Sequence, residues 1–206
     1  MSTERAEPAP LGRRAQTKRA NRTAILDAGR RVFAGVGYDA ATVRDLVRES
    51  GLSPGTFYNY FPDKQAVFRE LVDEILRELR PRLVRARAES IDAAGFVRDA
   101  FAAAVATLLG DPDRFALLQR STSAFRSCVF DGEQLTLLAD ELRTDLESAS
   151  DAGTLPSFPA ELMTAAMIGT TIEVGALGSQ MGRTPDEIAT FLGTLFLSGM
   201  AGFVTP

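Results

Sequence analysis

Residues 51–61, GLSPGTFYNYF, restrict the possible folds of this chain more than any other stretch. Ser53 followed by Pro54 is typical of a helix start, because a serine side chain caps free N–H groups and proline suits the first helical position. Pro62 limits that helix to about two turns, since the residue before a proline is driven out of the helical conformation. So short a helix cannot bury all four aromatic residues of the stretch, which are Phe57, Tyr58, Tyr60 and Phe61. We expect the two phenylalanines to pack inside and the two tyrosines to face a partner.

A second short helix is predicted just before this one. Thr42 can cap its start, Val43, Leu46 and Val47 form one apolar stripe, and Gly51 supplies the left-handed residue that ends it. Two short helices joined by a tight turn that contains glycine, and packed on a third helix, form a helix-turn-helix unit. In such a unit the second short helix enters the major groove of DNA.

The rest of the chain also predicts helices, because apolar residues recur with helical period and no stretch alternates as a half-buried strand does. We expect an all-α fold of about nine helices. The clearest are expected at about 16–35, 63–80, 159–181 and 185–203. Pro81 is expected to end or kink the helix that begins after Asp63.

Composition excludes several classes of site. A chain of 206 residues with 45% hydrophobic residues can bury a sizeable core. Histidine is absent and Cys128 is the single cysteine, so we expect no internal disulfide, no metal, no cofactor and no enzyme activity. Residues 1–12 contain no apolar core, so we expect a disordered tail and a cytoplasmic protein.

Charge is distributed unevenly along the chain. Residues 1–70 contain 12 Lys/Arg and 8 Asp/Glu, whereas residues 71–206 contain 11 and 19. A basic N-terminal unit beside an acidic body is typical of a nucleic-acid reader with a second function. Ordinary solvated helix faces would produce the same asymmetry, so charge alone leaves both interpretations open.

Residues 42–68, TVRDLVRESGLSPGTFYNYFPDKQAVF, form a helix-turn-helix that runs into a connecting helix, and this stretch resembles the tetracycline-repressor (TetR) family of transcriptional regulators. The resemblance extends over residues 20–70. The residues that carry it are Ile25, Leu26, Phe33, Gly37, Tyr38, Thr42, Leu46, Gly51, Gly55, Thr56, Phe57, Tyr58, Tyr60, Phe61 and Lys64.

The resemblance implies a homodimer with a DNA-binding domain at 13–65 and an effector-binding and dimerisation domain at 66–206. Such a protein would be a repressor that a small, mainly apolar effector releases from a palindromic, double-stranded operator. The DNA-binding residues that the resemblance implies are Thr42, Arg44, Ser53, Gly55, Thr56, Tyr58, Asn59, Tyr60 and Lys64.

Chemistry distinguishes their expected roles. Asn59 offers the donor and acceptor pair that adenine presents in the major groove, and Arg44 is the other expected reader of bases. Lys64 and a tyrosine hydroxyl can hold phosphate oxygens, and Gly55 lets the backbone approach closely. The basic residues Arg13, Arg14 and Lys18 could belong to an arm that reaches the minor groove, or to a solvated tail.

Two further sets of residues are expected in the body of the protein. Apolar side chains that could line an effector pocket are Phe101, Phe115, Phe125, Met163 and Met167, although at helical spacing they could equally be plain core. Surplus apolar and small residues on the last two helices predict a dimer interface. Its expected members are Gly169, Ala176, Leu192, Gly193, Phe196 and Met200.

Two alternatives compete with this interpretation. Residues 162–182 carry a single charge, Glu173, and approach the ~20 residues of a membrane-spanning helix. Their four glycines, three threonines and central glutamate make a poor span, so we expect no membrane insertion. The chain could also be a helical small-molecule carrier without specific DNA recognition. Salt-dependent binding of a duplex would separate a carrier from a regulator.

Overall fold

The computed structural model describes residues 12–121, 124–125 and 132–203, which contain nine α-helices and no strand. This confirms the predicted all-α fold. The predicted tail, apart from Gly12, and Cys128 lie outside the described residues. The helices are α1 Arg13–Val36, α2 Val43–Ser50, α3 Pro54–Tyr58, α4 Lys64–Glu89, α5 Ala93–Leu109, α6 Pro112–Arg120, α7 Glu133–Asp151, α8 Ala160–Gln180 and α9 Pro185–Met200.

Local capping chemistry sets the starts of the short helices as the sequence predicts. The Thr42 hydroxyl accepts from the Asp45 N–H and the Asp45 carboxylate accepts from the Thr42 N–H, which closes a capping box on α2. Ser53 caps α3 and Asp63 caps α4 in the same way, each through one side-chain oxygen. Gly51 takes the left-handed conformation, with φ of 69°, that turns α2 into α3.

Helix α4 differs from its prediction because it runs through Pro81 to Glu89. A proline inside a helix removes one hydrogen bond and costs about 3 kcal/mol, so packing must offset it. Leu76 and Leu79 before the proline are buried, and Leu83 after it packs against the same core. The ring itself lies exposed on the outer side of the helix.

Two apolar clusters divide the interior, and α4 connects them. The first contains residues of α1, α2, α3 and α4 together with residues of α6 and α7, and its centre is Phe33, Phe57 and Phe68. The second lies among α5, α7, α8 and α9 around Phe101 and Leu192. Because α4 contributes to the first cluster from its first turn and also packs on α5 and α7, it joins the N-terminal helices to the body.

The short connection between α1 and α2 is tied to the end of α6. The Tyr38 N–H donates to the Ser121 hydroxyl at 3.1 Å, and the Arg120 guanidinium donates to the Gly35 carbonyl at 2.7 Å. Gly37 has φ of 80° and faces the Arg120 carbonyl, to which an added Cβ would come within 2.7 Å. The body therefore contacts the N-terminal helices through α6 as well as through α4.

Helix α8 is long and apolar enough to span a membrane by length and composition, as the sequence indicates. In this fold it packs on α5, α7 and α9 instead. Only 22% of its most apolar window is buried within the chain, so much of its apolar surface remains open.

Candidate nucleic-acid interface and ligand cavity

Of the four aromatic residues in and after α3, the two phenylalanines are buried, as the sequence predicts. Phe57 is fully buried and Phe61 is 5% exposed, and their ring centroids lie 6.4 Å apart in the first cluster. Tyr58 is 57% exposed and stands edge-on to Phe57. The short helix α3 and the turn after it therefore hold Phe57 and Phe61 in the core and present Tyr58 to solvent.

The exposed face of α2 and α3 carries polar groups with the chemistry of base and phosphate contacts. Arg44 and Asn59 are both exposed. Gly55 is exposed too, and a Cβ added there would meet nothing within 4 Å. Nothing in the described part of the chain thus requires glycine at this position, which agrees with close approach by an external partner.

Arg48 is a candidate contact that the sequence interpretation missed. Its side chain is 76% exposed and donates to the Asp45 carboxylate at 2.9 Å. Because Arg48 lies four residues after Arg44, both point from the same side of α2. Helical spacing alone could have identified it.

Three of the residues predicted to contact DNA form hydrogen bonds within the protein through their hydroxyl groups. Thr42 is the cap of α2, and the Ser53 and Thr56 hydroxyl oxygens lie 2.8 Å apart at the start of α3. The hydrogen bond from the Thr42 side chain, and to a smaller extent the one from its backbone N–H, holds the pKa of the Asp45 carboxyl below 3.8. These residues fix the geometry of the two short helices, and their contact with DNA stays a prediction.

Tyr60 is half-buried and its hydroxyl is held by α1. The Asn21 side-chain amide lies 3.4 Å from the tyrosine oxygen, with the amide nitrogen as donor. An oxygen that accepts from Asn21 keeps its own proton for an outside acceptor such as a phosphate. The sequence contained no signal for this pairing, because the two residues lie 39 positions apart.

Lys64, predicted as a phosphate contact, is already bound within the protein. Its ammonium donates to the carbonyls of Tyr38 and Ala41, both at 2.8 Å, and to that of Asp39 at 3.3 Å. It also lies 4.5 Å from the centroid of the Tyr38 ring. All three of its donors therefore hold the α1–α2 connection, and a phosphate would have to compete for them.

The basic residues near the N-terminus belong to α1 and not to a flexible arm. The helix begins at Arg13, three residues before its predicted start, and every residue from 13 to 20 is exposed. Arg13, Arg14 and Lys18 thus extend the basic side of the N-terminal helices as a projecting helical end. Farther along α1, Arg22 pairs with Glu70 and Arg30 with Glu74, which fastens α1 to α4.

A cavity lies between α4, α5, α7 and α8. Its volume is about 100 Å³, and the cavity is partly open to solvent. The walls are almost wholly apolar, and Phe101, Phe125 and Met167 of the predicted pocket line them. Leu76, Leu79 and Leu83 of α4 form another wall, which the sequence interpretation had not included.

The other two predicted pocket residues lie elsewhere. Phe115 lines a second crevice of about 380 Å³ between α5, α6 and α8, which Phe125 also borders. Met163 is half-buried and packs against the second cluster. It lines neither of these two crevices, and its place in an effector pocket stays a prediction.

The predicted dimer interface requires a correction on α9. Leu192, Gly193 and Met200 are buried inside the chain, and Phe196 packs on Phe101 with ring centroids 5.2 Å apart. An added Cβ on Gly193 would come within 3.2 Å of the Arg98 side chain. These four residues pack inside the chain, so the prediction selected the inner side of α9.

Apolar residues do remain exposed on α8 and α9. Leu162 is 70% exposed and Leu177 57% on α8, and Phe191 is 55% exposed and Leu195 48% on α9. Among the residues predicted for the interface, Gly169 and Ala176 are partly exposed on α8. We call the set Leu162, Gly169, Ala176, Leu177, Phe191 and Leu195 the α8–α9 face.

Comparison with known proteins adds evidence on the N-terminal helices. Residues 25–71 match the profile of the family described as bacterial regulatory proteins, tetR family. An HTH-type transcriptional repressor of Mycobacterium tuberculosis is 49% identical over 55 residues, which are 27% of this chain and 29% of that protein. The chain thus aligns with less than a third of that repressor's length.

Solved structures resemble the whole fold. The fatty acid degradation regulator FadR from Bacillus halodurans superposes with a TM-score of 0.74 at 20% identity, covering 86% of this chain and 94% of that one. FadR from Bacillus subtilis in complex with stearoyl-CoA gives a TM-score of 0.75 at 20% identity, covering 86% and 98%. At this identity the likeness shows a shared fold.

Proposed function

We propose that the chain is a cytoplasmic DNA-binding repressor of the TetR family, controlled by a small effector. The proposal rests on how α3 is divided between the core and the solvent. Phe57 is locked in the core, while Tyr58, Asn59 and Gly55 of the same short segment face solvent. A helix held in this way presents a rigid polar surface to a groove.

The proposed contacts fall into two kinds. Asn59 and Arg44 read base edges, because an amide and a guanidinium match the hydrogen-bonding groups of adenine and guanine in the major groove. Arg48, Tyr60 and the basic end of α1 hold phosphates, which set affinity and orientation without reading sequence. Thr42, Ser53 and Thr56 keep α2 and α3 in place for both kinds of contact.

A homodimer is proposed through the α8–α9 face. Exposed apolar surface of this extent is typical of an interaction site. Gly169 has open space around it, so a second helix can approach its backbone closely. Two copies related by a twofold axis would place two α3 helices on half-sites about 34–36 Å apart, or further by whole turns.

The proposed effector occupies the cavity beside α4 and changes how that helix holds the DNA-binding helices. Leu76, Leu79 and Leu83 line the cavity, while Val67 and Phe68 of the same helix are buried under α1. A ligand regulates only if it binds the released conformation more tightly. Reversing occupancy from about 99:1 to 1:99 requires a difference of roughly 5.5 kcal/mol.

Duplex binding tests this function. Sequences should be enriched from a random pool, and anisotropy titrations of a winning duplex should lose affinity as salt rises, by about 0.9 log units per phosphate contact and decade of salt. Asn59→Ala should weaken the selected duplex more than an unrelated one. A small-molecule carrier would show neither enrichment nor a selective loss.

A further inference from the structure

The cavity beside α4 is lined by charged residues only where its lining reaches solvent, and we call this part its mouth. The charged residues that line it, Arg87, Glu141 and Asp145, all belong to ion pairs between α4 and α7. We call the pairs Arg80–Glu141 and Arg87–Asp145 the mouth pairs. Thr171 is the uncharged polar residue among the lining residues, and its hydroxyl donates to the Met167 carbonyl. An occupant therefore meets apolar walls inside and charged groups at one end.

The mouth pairs present their cations outward. The Asp145 side chain is 21% exposed against 39% for Arg87, and the Glu141 side chain is 29% exposed against 49% for Arg80. Each guanidinium is thus more exposed to solvent than the carboxylate with which it pairs. A head group that arrives from solvent meets the guanidinium first, and a cationic head group would have to displace it. This asymmetry favours an anion.

Both arginines keep donors free. Arg87 directs its Nε, at 2.8 Å, and its Nη2 to one oxygen of Asp145, and Arg80 binds one oxygen of Glu141 in the same manner. Neither Nη1 has a hydrogen-bond partner within the described part of the chain. Guanidinium groups bind carboxylate and phosphate oxygens through such paired N–H groups.

We propose that the cavity binds an amphiphilic anion, with an unbranched apolar chain inside and a carboxylate or phosphate head held by Arg87 at the mouth, next to Arg80. The proposal names the class of effector for the proposed regulator and rests on that function. The head competes with Asp145 for Arg87, so binding loosens one of the mouth pairs. Carboxylate and phosphate heads share this chemistry.

Matched decyl compounds test the head group. Decanoate, decyl phosphate, decanol and decyltrimethylammonium have the same chain length and would be titrated calorimetrically below their micelle concentrations. Decanoate or decyl phosphate should bind at least about tenfold more tightly than decanol, as a hydrogen bond between charged groups provides. Their ratio tells which head is preferred. Equal or tighter binding of decanol or of the ammonium compound overturns the proposal, as does failure of every compound to bind.

Neutralising each partner of the Arg87–Asp145 pair in turn distinguishes a site that binds the head group from a pair that only holds α4 against α7. Arg87→Gln should weaken decanoate about 10- to 100-fold and leave decanol unchanged. Asp145→Asn should strengthen decanoate about 2- to 5-fold, because Arg87 loses its competing anion. If the pair only braced the helices, both variants would shift affinity in the same direction, and that result overturns the proposal.

Arg85 supplies the matched control. It lies exposed on α4 and makes no ion pair within the described residues, so Arg85→Gln should retain the decanoate preference. Equal losses in Arg85→Gln and Arg87→Gln would show a general effect of charge and refute the site. Circular dichroism of each variant checks the fold. Binding of a selected duplex by ligand-free protein is measured in parallel, so failure of the effector class is distinguishable from failure of DNA binding.

Discussion

Removal of the Lys64 ammonium should destabilise the protein through the connection between α1 and α2. Ala41 is 2% exposed, so water cannot replace the 2.8 Å bond to its carbonyl, and losing a charged partner there costs about 1.5–3 kcal/mol. The bond to the partly exposed Tyr38 carbonyl contributes less, and the contact with the Tyr38 ring about 0.5–1 kcal/mol. We expect Lys64→Met to lose about 3 kcal/mol, or about 6–12 °C in Tm for a chain of this size.

The only other lysine of the chain, Lys18, is the matched control. It is exposed on the basic end of α1, so Lys18→Met should leave Tm unchanged and reduce the salt slope of duplex binding by about 0.9. Thermal unfolding by circular dichroism and anisotropy titrations at several salt concentrations measure both quantities for both variants. If Lys64→Met keeps its Tm and loses salt slope instead, the ammonium binds phosphate and the bracing argument is refuted.

Three further changes test other parts of the account. Asn59→Ala should cost about 1–3 kcal/mol of duplex affinity and relax preference at one position per half-site; a uniform loss across single-base variants of the operator would deny it a reading role. Phe191→Ser should yield monomers in sedimentation velocity with little loss of stability, whereas Leu192→Ala next to it should cost about 2–5 kcal/mol in urea unfolding; a Phe191→Ser dimer would exclude this face. Burial, and to a smaller extent the negative charge of Glu70, raises the pKa of the Asp73 carboxyl above 3.8. The ionised form therefore opposes folding at neutral pH, so Asp73→Asn should raise Tm at pH 7 by an amount that shrinks as the pH falls towards 3.8, and a lower Tm at pH 7 would contradict this.

Features set by neighbours in sequence could be predicted. The caps at Thr42, Ser53 and Asp63 each depend on a residue three positions away, and the structure contains each one. The burial of Phe57 and Phe61 follows from the length of α3 and the four-residue spacing of the two rings. Local signals of this kind also identified the helix-turn-helix.

Features that depend on residues far apart in the sequence could not be predicted from it. Helix α9 is apolar on more than one side, so periodicity alone cannot tell the side that packs on Phe101 from the side with Phe191. Pro81 does not end α4, because packing on either side of it comes from other helices. The carbonyls that bind Lys64 lie 23 to 26 positions away, and no sequence pattern marks them.

Sequence-selective duplex binding by the purified chain is the central claim, and one selection experiment tests it most directly. Rounds of enrichment from a random duplex pool, followed by titration of the enriched sequence across a range of salt concentrations, should yield a palindrome with two half-sites and an affinity that falls steeply with salt. If no sequence is enriched, or if the affinity does not change with salt, the chain is not the DNA-binding regulator described here.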